Sequence, residues 1–497
     1  MSPFLLLSVL IGYFALLITI SWIATRKNAN NASFFTANRQ SSWYLVAFGM
    51  IGASVSGISF VSVPGMVQTS QFTYLQMVLG FFVGYLLIAY VLLPLYYRLR
   101  LTSIYEFLYQ RYGKATYKTG ATFFVVAKLV GAASKLYVAI LVLQQFLFSQ
   151  WHVPFYAVVA LFVFLIWIYT HRGGIRVLVL TDCIQTLVLL VALVLILKEV
   201  YCQLNIAPSV LCEKLLTSPE CRVFVFDDWH TSQNFFKQFF SGIFVVVVMT
   251  GLDQDMMQKN LTCRSLKEAQ RNMLSYGSMF LPVNFLFLVL GFLLLMFAAE
   301  YKIALPAVGD EILPFVVSSH IGGVSLVLFL LGMVAASFSS ADSALTSITT
   351  TVFVDLLGIK DIENEGYARK RNWIHIAICV LFFFVVLAFD VIKNESVLDL
   401  IYTIVGYLYG PLLGLYSFAL CCNRKVYDKA VPFLALLSPL LCYGLKSFFQ
   451  SYYSYSFGYE LLMINGLITF VGLLIFSKKS KNGNNYRRIY SQQHRCA

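Results

Sequence analysis

The chain has 497 residues, of which 59% are hydrophobic and only 12% charged, with a mean hydropathy of +0.77. Those values exclude an ordinary soluble protein of several domains, because that much apolar side chain needs lipid as its solvent. The formal charge of +13 does not mark a nucleic-acid binder, since the basic residues fall in short segments between apolar stretches rather than along one stripe or helix.

The chain opens on an apolar run. Met1 to Ser21 lacks a basic leader and an A-x-A-like cleavage site, and the run continues through Trp22 to Ala24, so residues 3–24 read as a first spanning helix and not as a removable signal. Further apolar stretches follow at 42–66, 72–98, 119–148, 154–170, 174–201, 236–252, 271–298, 321–355, 371–390, 396–420, 428–446 and 455–477. At ~1.5 Å rise per residue each approaches or exceeds the ~30 Å of a hydrocarbon core, which predicts an all-α polytopic bundle of about thirteen spans. Pro64-Gly65, Gly173-Gly174 and Gly410-Pro411 mark turns or broken helices.

Loop charge orients the bundle, because Lys and Arg accumulate on the cytoplasmic side. Segments 25–41, 97–118, 171–176, 253–271, 356–371, 421–429 and the tail from 478 hold most of the Lys and Arg. The opposite loops hold Lys214, Arg222, Lys302, Lys393 and Lys446. The N-terminus is therefore expected outside and the tail KKSKNGNNYRR inside. The ten cysteines show no C-x-x-C or Cys/His cluster that would suggest a metal centre. Cys202, Cys212 and Cys221 share one outer loop, where an oxidising compartment would let one pair form a disulfide. The sequence does not choose the pair.

Charges inside spans are costly and mark candidate sites. Lys128, Lys135, Asp182 and Asp342 qualify, each with a structural ion pair as the alternative; Lys198, Lys237 and Asp399 lie near span ends, where snorkelling accounts for them. Residues 49–65, GMIGASVSGISFVSVPG, crowd small residues into the middle of the second span. Small residues can simply permit close helix packing. Alternatively, Ser54 to Ser56 mark an unwound stretch whose free carbonyls coordinate an ion. In the 321–355 span, Ala336, Ser339, Ser340, Ser343, Ser347 and Thr350 share one helix face, with Asp342 at its edge. Hydroxyls with one carboxylate supply the hard oxygen ligands an alkali cation needs, and Na⁺ is the natural candidate.

Several blocks together resemble the sodium:solute symporter family, which includes sodium-coupled sugar, proline, pantothenate, iodide, monocarboxylate and sialic acid carriers. They are VPGMV after the small-residue helix, LPLYYRLRLTSIYEFLYQRYG at 93–113, GGIRVLVLTDCIQ at 173–185, GLDQDMMQKNLTCRSLKEAQ at 251–270, and the hydroxyl segment at 335–355. The resemblance covers residues from about 42 to 420. It implies a LeuT-type core of two inverted five-helix repeats, 42–201 and 236–420, preceded by an extra helix and loop in 1–41 and followed by two helices in 421–477 and a cytoplasmic tail, 478–497.

It further implies a main sodium site formed by the backbone carbonyls of Gly52, Val55 and Ala336 with the hydroxyls of Ser339 and Ser340. A second cation site, present in some members, would fall on Asp182, Ser339, Asp342 and Ser343. Asp342 departs from the serine more usual there; two carboxylates could strengthen a cation site, raise one carboxylate's pKa or admit a proton in place of Na⁺. The sugar carriers' polar ligands do not carry over, their places being held by Ile58, Ser59, Val246 and Tyr402. Lys135 points a cation to the depth where sialic acid carriers place an arginine, which suggests that it binds a solute carboxylate, with Ser56, Ser59, Phe60 and Gln76 lining the site.

The expected activity is Na⁺-coupled import of a small polar, anionic organic solute by alternating access across the plasma membrane, with Na⁺ as coupling ion and no organic cofactor. The expected partners are the solute and the lipid bilayer, without nucleic acid; the sequence does not indicate an oligomeric state. A neutral solute such as an amino acid, polyol or sugar is the alternative, and a transporter-like sensor is another, disfavoured by a tail of about twenty residues that carries no signalling domain. An enzyme is not expected: of six histidines only His375 falls inside a span, without an evident partner.

Overall fold

The computed structural model describes residues 3–26, 31–359, 361, 364–392, 397–453, 455 and 457–479, and of residues 3, 365, 392, 397–405 and 479 the backbone only. Lys393, the tail beyond 479 and the side chains of Asp399 and Tyr402 lie outside that description. Backbone groups in hydrocarbon must bond within their own segment, so apolar sequence of this length folds as helix. The principal helices are α1 (Pro3–Thr25), α2 (Trp43–Ser54), α3 (Gly57–Gly65), α4 (Tyr74–Leu87), α5 (Lys114–Phe146), α6 (Phe155–Thr170), α7 (Ile175–Leu204), α8 (Phe235–Val246), α9 (Gln254–Asn260), α10 (Leu266–Tyr301), α11 (Gly309–Val316), α12 (Gly323–Thr351), α13 (Ala368–Ile392), α14 (Val397–Cys421), α15 (Val431–Tyr453) and α16 (Leu461–Ile475). Among the described residues eight helices are long and apolar enough to cross a membrane, or up to ten if each of two bent pairs is one span, and α6 and α16 are shorter apolar helices.

The bent pairs are the departures from regular helix that matter for function. Helix α2 meets the segment Gly57–Ser70, which contains α3, at 64°, and the segment Phe235–Gly251, which contains α8, meets α9 at 69°. At the first break Val55 and Ser56 are extended, and Ser56 restarts the helix by accepting the Ser59 N–H on its Oγ at 3.3 Å. At the second, Asp253 is extended and its carboxylate accepts the N–H groups of Asp255 at 2.9 Å and Met256 at 3.3 Å. The sequence assigns 253–271 to a cytoplasmic loop. Instead the helix resumes as α9, all of it buried, because Gln254–Asn260 is too polar and too short for hydropathy to flag yet is enclosed by its neighbours.

Helices α2, α7 and α12 pack together at the centre, with α5 against α12 and α4 against α8. Every residue of α12 from Gly332 to Thr351 is buried. Its hydroxyls and carboxylate therefore have no bulk water and must find partners inside the bundle. Two close approaches depend on glycine: a Cβ at Gly52 would collide with Thr186 of α7, and one at Gly57 with the Ser337 hydroxyl of α12. Helix α1 leans on the outside of this core, its Phe14 ring 5.7 Å from Phe162 and 5.0 Å from Phe338. Near the C-terminus, β1 (Arg424–Val426) pairs antiparallel with β2 (Ser477–Lys479).

The loop cysteines are free thiols, Cys202 and Cys212 exposed and Cys221 buried, so no pair of them is bridged. Burial pushes the Cys221 thiol up to about 12.

Candidate ion and solute site

The first helix break faces the hydroxyl stripe of α12. Ser340 Oγ donates to the Ala53 carbonyl at 3.2 Å, which fixes α12 against the last turn of α2. Gly52 donates its N–H to Thr186 Oγ1 at 3.0 Å. Among the described residues the carbonyls of Gly52 and Val55 accept no backbone N–H across the break. Ser339 and Ser340 are buried, and Ala336 lies one turn before Ser340 on the same helix. The five predicted main-site residues thus come from two elements that touch, with carbonyl oxygens left over by the unwinding. The C-terminal end of α2 carries a partial negative charge that favours a cation there, and the N-terminal end of α3 a partial positive one that favours an anion.

A second polar cluster lies beside the first. Ser339 Oγ donates to Asp182 Oδ1 at 2.6 Å, joining α12 to α7. The other oxygen of Asp182 pairs with Lys259 Nζ of α9 at 2.8 Å, both side chains being almost wholly buried. Asp342 accepts the Tyr169 hydroxyl at 2.8 Å and the Ser343 N–H at 2.6 Å. Ser343 Oγ is buried without a hydrogen-bond partner among the described residues. Asp182 and Ser339 are therefore in direct contact, while Asp342 and Ser343 follow Ser339 along α12.

From Lys259 the charges continue as a ladder. Lys259 Nζ lies 3.7 Å from Asp255 Oδ1, Asp255 Oδ2 lies 2.8 Å from Lys128 Nζ, and Lys128 is 3.2 Å from Asp253, which also accepts the Tyr409 hydroxyl at 2.8 Å. Helices α5, α7, α9 and α14 are tied by these contacts. A buried ion is costly unless paired and hydrogen-bonded. Here every carboxylate of the ladder meets an ammonium.

The sequence marks Lys128 as a candidate but not Asp253, Asp255 and Lys259, which its hydropathy assigns to a cytoplasmic loop. The i,i+4 spacing of Asp255 and Lys259 was the available signal. His375 has no evident partner in the sequence, yet this fully buried ring sits between the hydroxyls of Thr170 at 3.0 Å and Thr349 at 2.8 Å.

Of the residues expected to line a solute pocket, Ser56 bonds Ser59 Oγ at 3.2 Å, and Phe60 is buried between the rings of Phe287 and Phe329. Gln76 bonds the segment that precedes α8: its Nε2 donates to the Gln233 carbonyl at 2.9 Å and its Oε1 accepts the Val225 N–H at 3.1 Å. Lys135 lies seven residues beyond Lys128 on α5, and among the described residues no carboxylate approaches its Nζ within 4.0 Å. A groove of about 390 Å³ lies elsewhere, lined by apolar residues of α6 and α13 such as Phe164, Trp167 and Phe383, and its chemistry is that of a lipid-facing surface.

A model of the sodium:solute symporter family matches residues 34–430. The chain belongs to that family. Among similar proteins, the sodium/sialic acid symporter SiaT of Proteus mirabilis is 23% identical over 440 residues, covering 85% of this chain and 86% of its own. The sodium/sialic acid symporter NanT of Aliivibrio fischeri is 24% identical over 433 residues, covering 85% and 84%. The human sodium/iodide cotransporter is 24% identical over 437 residues, covering 83% of this chain and 66% of its own. The structure of a Na⁺-coupled sialic acid symporter in a substrate-bound, outward-open state superposes with a TM-score of 0.81 at 20% identity, covering 96% of this chain and 99% of that one. A nucleobase-cation-symport-1 family transporter in a closed conformation gives 0.55 at 11%, covering 92% and 95%. At those identities the likeness speaks for the fold, which is the LeuT type. This sodium:solute symporter is a multi-pass plasma-membrane transporter and not an enzyme, and it couples movement of a small solute to Na⁺.

Proposed function

We propose that this symporter imports a small organic anion by alternating access, with Na⁺ held at the break between α2 and α3 by the carbonyls of Gly52, Val55 and Ala336 and the hydroxyls of Ser339 and Ser340. The observation that carries it is the contact of Ser340 with Ala53, which sets the hydroxyl face of α12 against carbonyls freed by unwinding. Hard oxygens in that number and kind suit an alkali cation. Na⁺ joining two separate elements would order them together, so that solute binds to the Na⁺-loaded form and both ligands leave after the bundle rocks.

The two bent pairs recur five spans apart, in the second and the seventh, which supports two inverted repeats over 42–201 and 236–420. Adding α6, α14 and α16 to the longer spans and the bent pairs supports thirteen crossings, which put the termini on opposite sides, and the loop charges favour the N-terminus outside. An anionic cargo is favoured by Lys135, whose ammonium has no carboxylate partner among the described residues, and by the N-terminal end of α3, where Ser56 and Ser59 lie. The sialic acid symporters among the relatives point the same way. Apolar Ile58 and Val246 disfavour a sugar. Uptake by proteoliposomes, screened over carboxylates, sialic acids, amino acids and polyols with Na⁺ or choline, tests the reading. A Na⁺-dependent anion whose uptake collapses in Lys135→Ala supports it; a neutral solute carried equally well by that variant overturns the anionic assignment.

A further inference from the structure

Asp182 is the carboxylate around which a second Na⁺ would gather, yet both of its oxygens are already engaged. One accepts Ser339 Oγ at 2.6 Å and the other meets Lys259 Nζ at 2.8 Å. We propose that Lys259 is a tethered cation which takes the place of a second Na⁺ at Asp182 and thereby holds the coupling ratio at one Na⁺ per solute. The inference rests on the assignment of Na⁺ to the α2–α3 break.

A merely structural role for Lys259 would be met by Asp255, four residues earlier on the same helix. The distances run the other way: Lys259 is 3.7 Å from Asp255, which Lys128 holds at 2.8 Å, and the nearer partner of Lys259 is Asp182 on α7. An ammonium is a compact cation with three donors and no acceptor, so it can supply the charge Na⁺ would bring to Asp182 while being unable to leave with the solute. Ser339 links this pair to the main site. Because its O–H points to Asp182, its oxygen lone pairs are left to face a cation on the other side. Remove the ammonium, and Asp182, Ser339, Asp342 and Ser343 become an oxygen set with two carboxylates and no counter-charge of its own, the hard-ligand environment a mobile Na⁺ would fill.

The purified full-length chain, titrated with NaCl against choline chloride, provides the test through ²²Na⁺ binding and through the Na⁺-dependent rise in unfolding temperature, which follows the number of ions bound to the folded state. The expected result is about one Na⁺ per chain in the wild type, in Lys259→Arg and in Asp182→Asn, and about two in Lys259→Met. A wild type that binds about two, falling to about one in Asp182→Asn, overturns the inference, as does a folded Lys259→Met that stays at about one. Should Lys259→Met fail to fold, Asp182→Asn decides: unchanged Na⁺ binding supports the tethered cation and reduced binding overturns it. Loss of all Na⁺ binding in Ser340→Ala keeps the main site distinguishable, and a wild type that binds no Na⁺ overturns the main-site assignment together with this inference.

Discussion

Lys128→Met takes away an ammonium that two buried carboxylates share. Lys128 lies 2.8 Å from Asp255 and 3.2 Å from Asp253, and the acid side chains are 2% exposed against 15% for the lysine. Removing one partner of a buried pair costs about 3–5 kcal/mol, because the other charge stays behind unpaired. Here the low end applies. Asp253 keeps the Tyr409 hydroxyl and two backbone N–H groups, Asp255 keeps Lys259 at 3.7 Å, and the partial exposure of Lys128 screens part of the interaction. With an unfolding entropy of about 2 cal/mol/K per residue, a loss of about 3 kcal/mol in a chain of this size lowers the midpoint by about 3 °C. Thermal unfolding of the purified protein measures it, with a thiol-independent readout such as intrinsic tryptophan fluorescence. Lys128→Met/Asp253→Asn should recover part of the loss, with a coupling of about 1–3 kcal/mol. An unchanged midpoint for Lys128→Met, or a double variant whose losses simply add, refutes the argument that the ladder is a set of mutually compensating buried charges.

Gly57→Ala should destabilise by about 1–3 kcal/mol, since the added methyl collides with Ser337 Oγ, and Gly57→Ala/Ser337→Ala should recover much of that in the same unfolding assay. Lys135→Ala should raise the KM for an anionic solute by about 10- to 100-fold while Lys135→Arg keeps most of the affinity, as initial uptake rates against solute concentration would reveal. A membrane-impermeant maleimide added outside right-side-out vesicles should label Cys202 and Cys212 but not Cys221, a topology test read by mass spectrometry. For Cys221 the pH dependence has a definite sign. Its raised pKa keeps it a neutral thiol, so at pH 8 its labelling should be slower than that of an ordinary thiol and should rise with pH.

The bundle was legible because hydropathy and loop charge are long-range sums that a single polar residue does not disturb, and the α2–α3 break was legible because small residues and a proline crowd one span. The hydroxyl face of α12 followed from helical periodicity alone. Asp253, Asp255 and Lys259 were not legible as membrane residues, because α9 is seven residues long and reads as a charged loop until its neighbours enclose it. Local sequence carries no record of that enclosure. The partners of Gln76 were not legible for a related reason: Val225 and Gln233 lie about 150 residues away in the segment before α8, and nothing near Gln76 announces them. His375 lacked an evident partner because threonines 170 and 349 reach it only once α6, α12 and α13 pack.

The central claim is that solute movement is driven by Na⁺ bound where α12 meets the unwound turn after α2. Proteoliposomes loaded without Na⁺ and diluted into Na⁺ or choline medium test it most directly, each tenfold of Na⁺ gradient supplying about 1.4 kcal/mol per ion. Solute should accumulate above its outside concentration only in Na⁺, and accumulation should be lost in Ser339→Ala/Ser340→Ala that folds and inserts normally. Equal accumulation in choline, or undiminished Na⁺-driven accumulation by the double variant, would contradict the account.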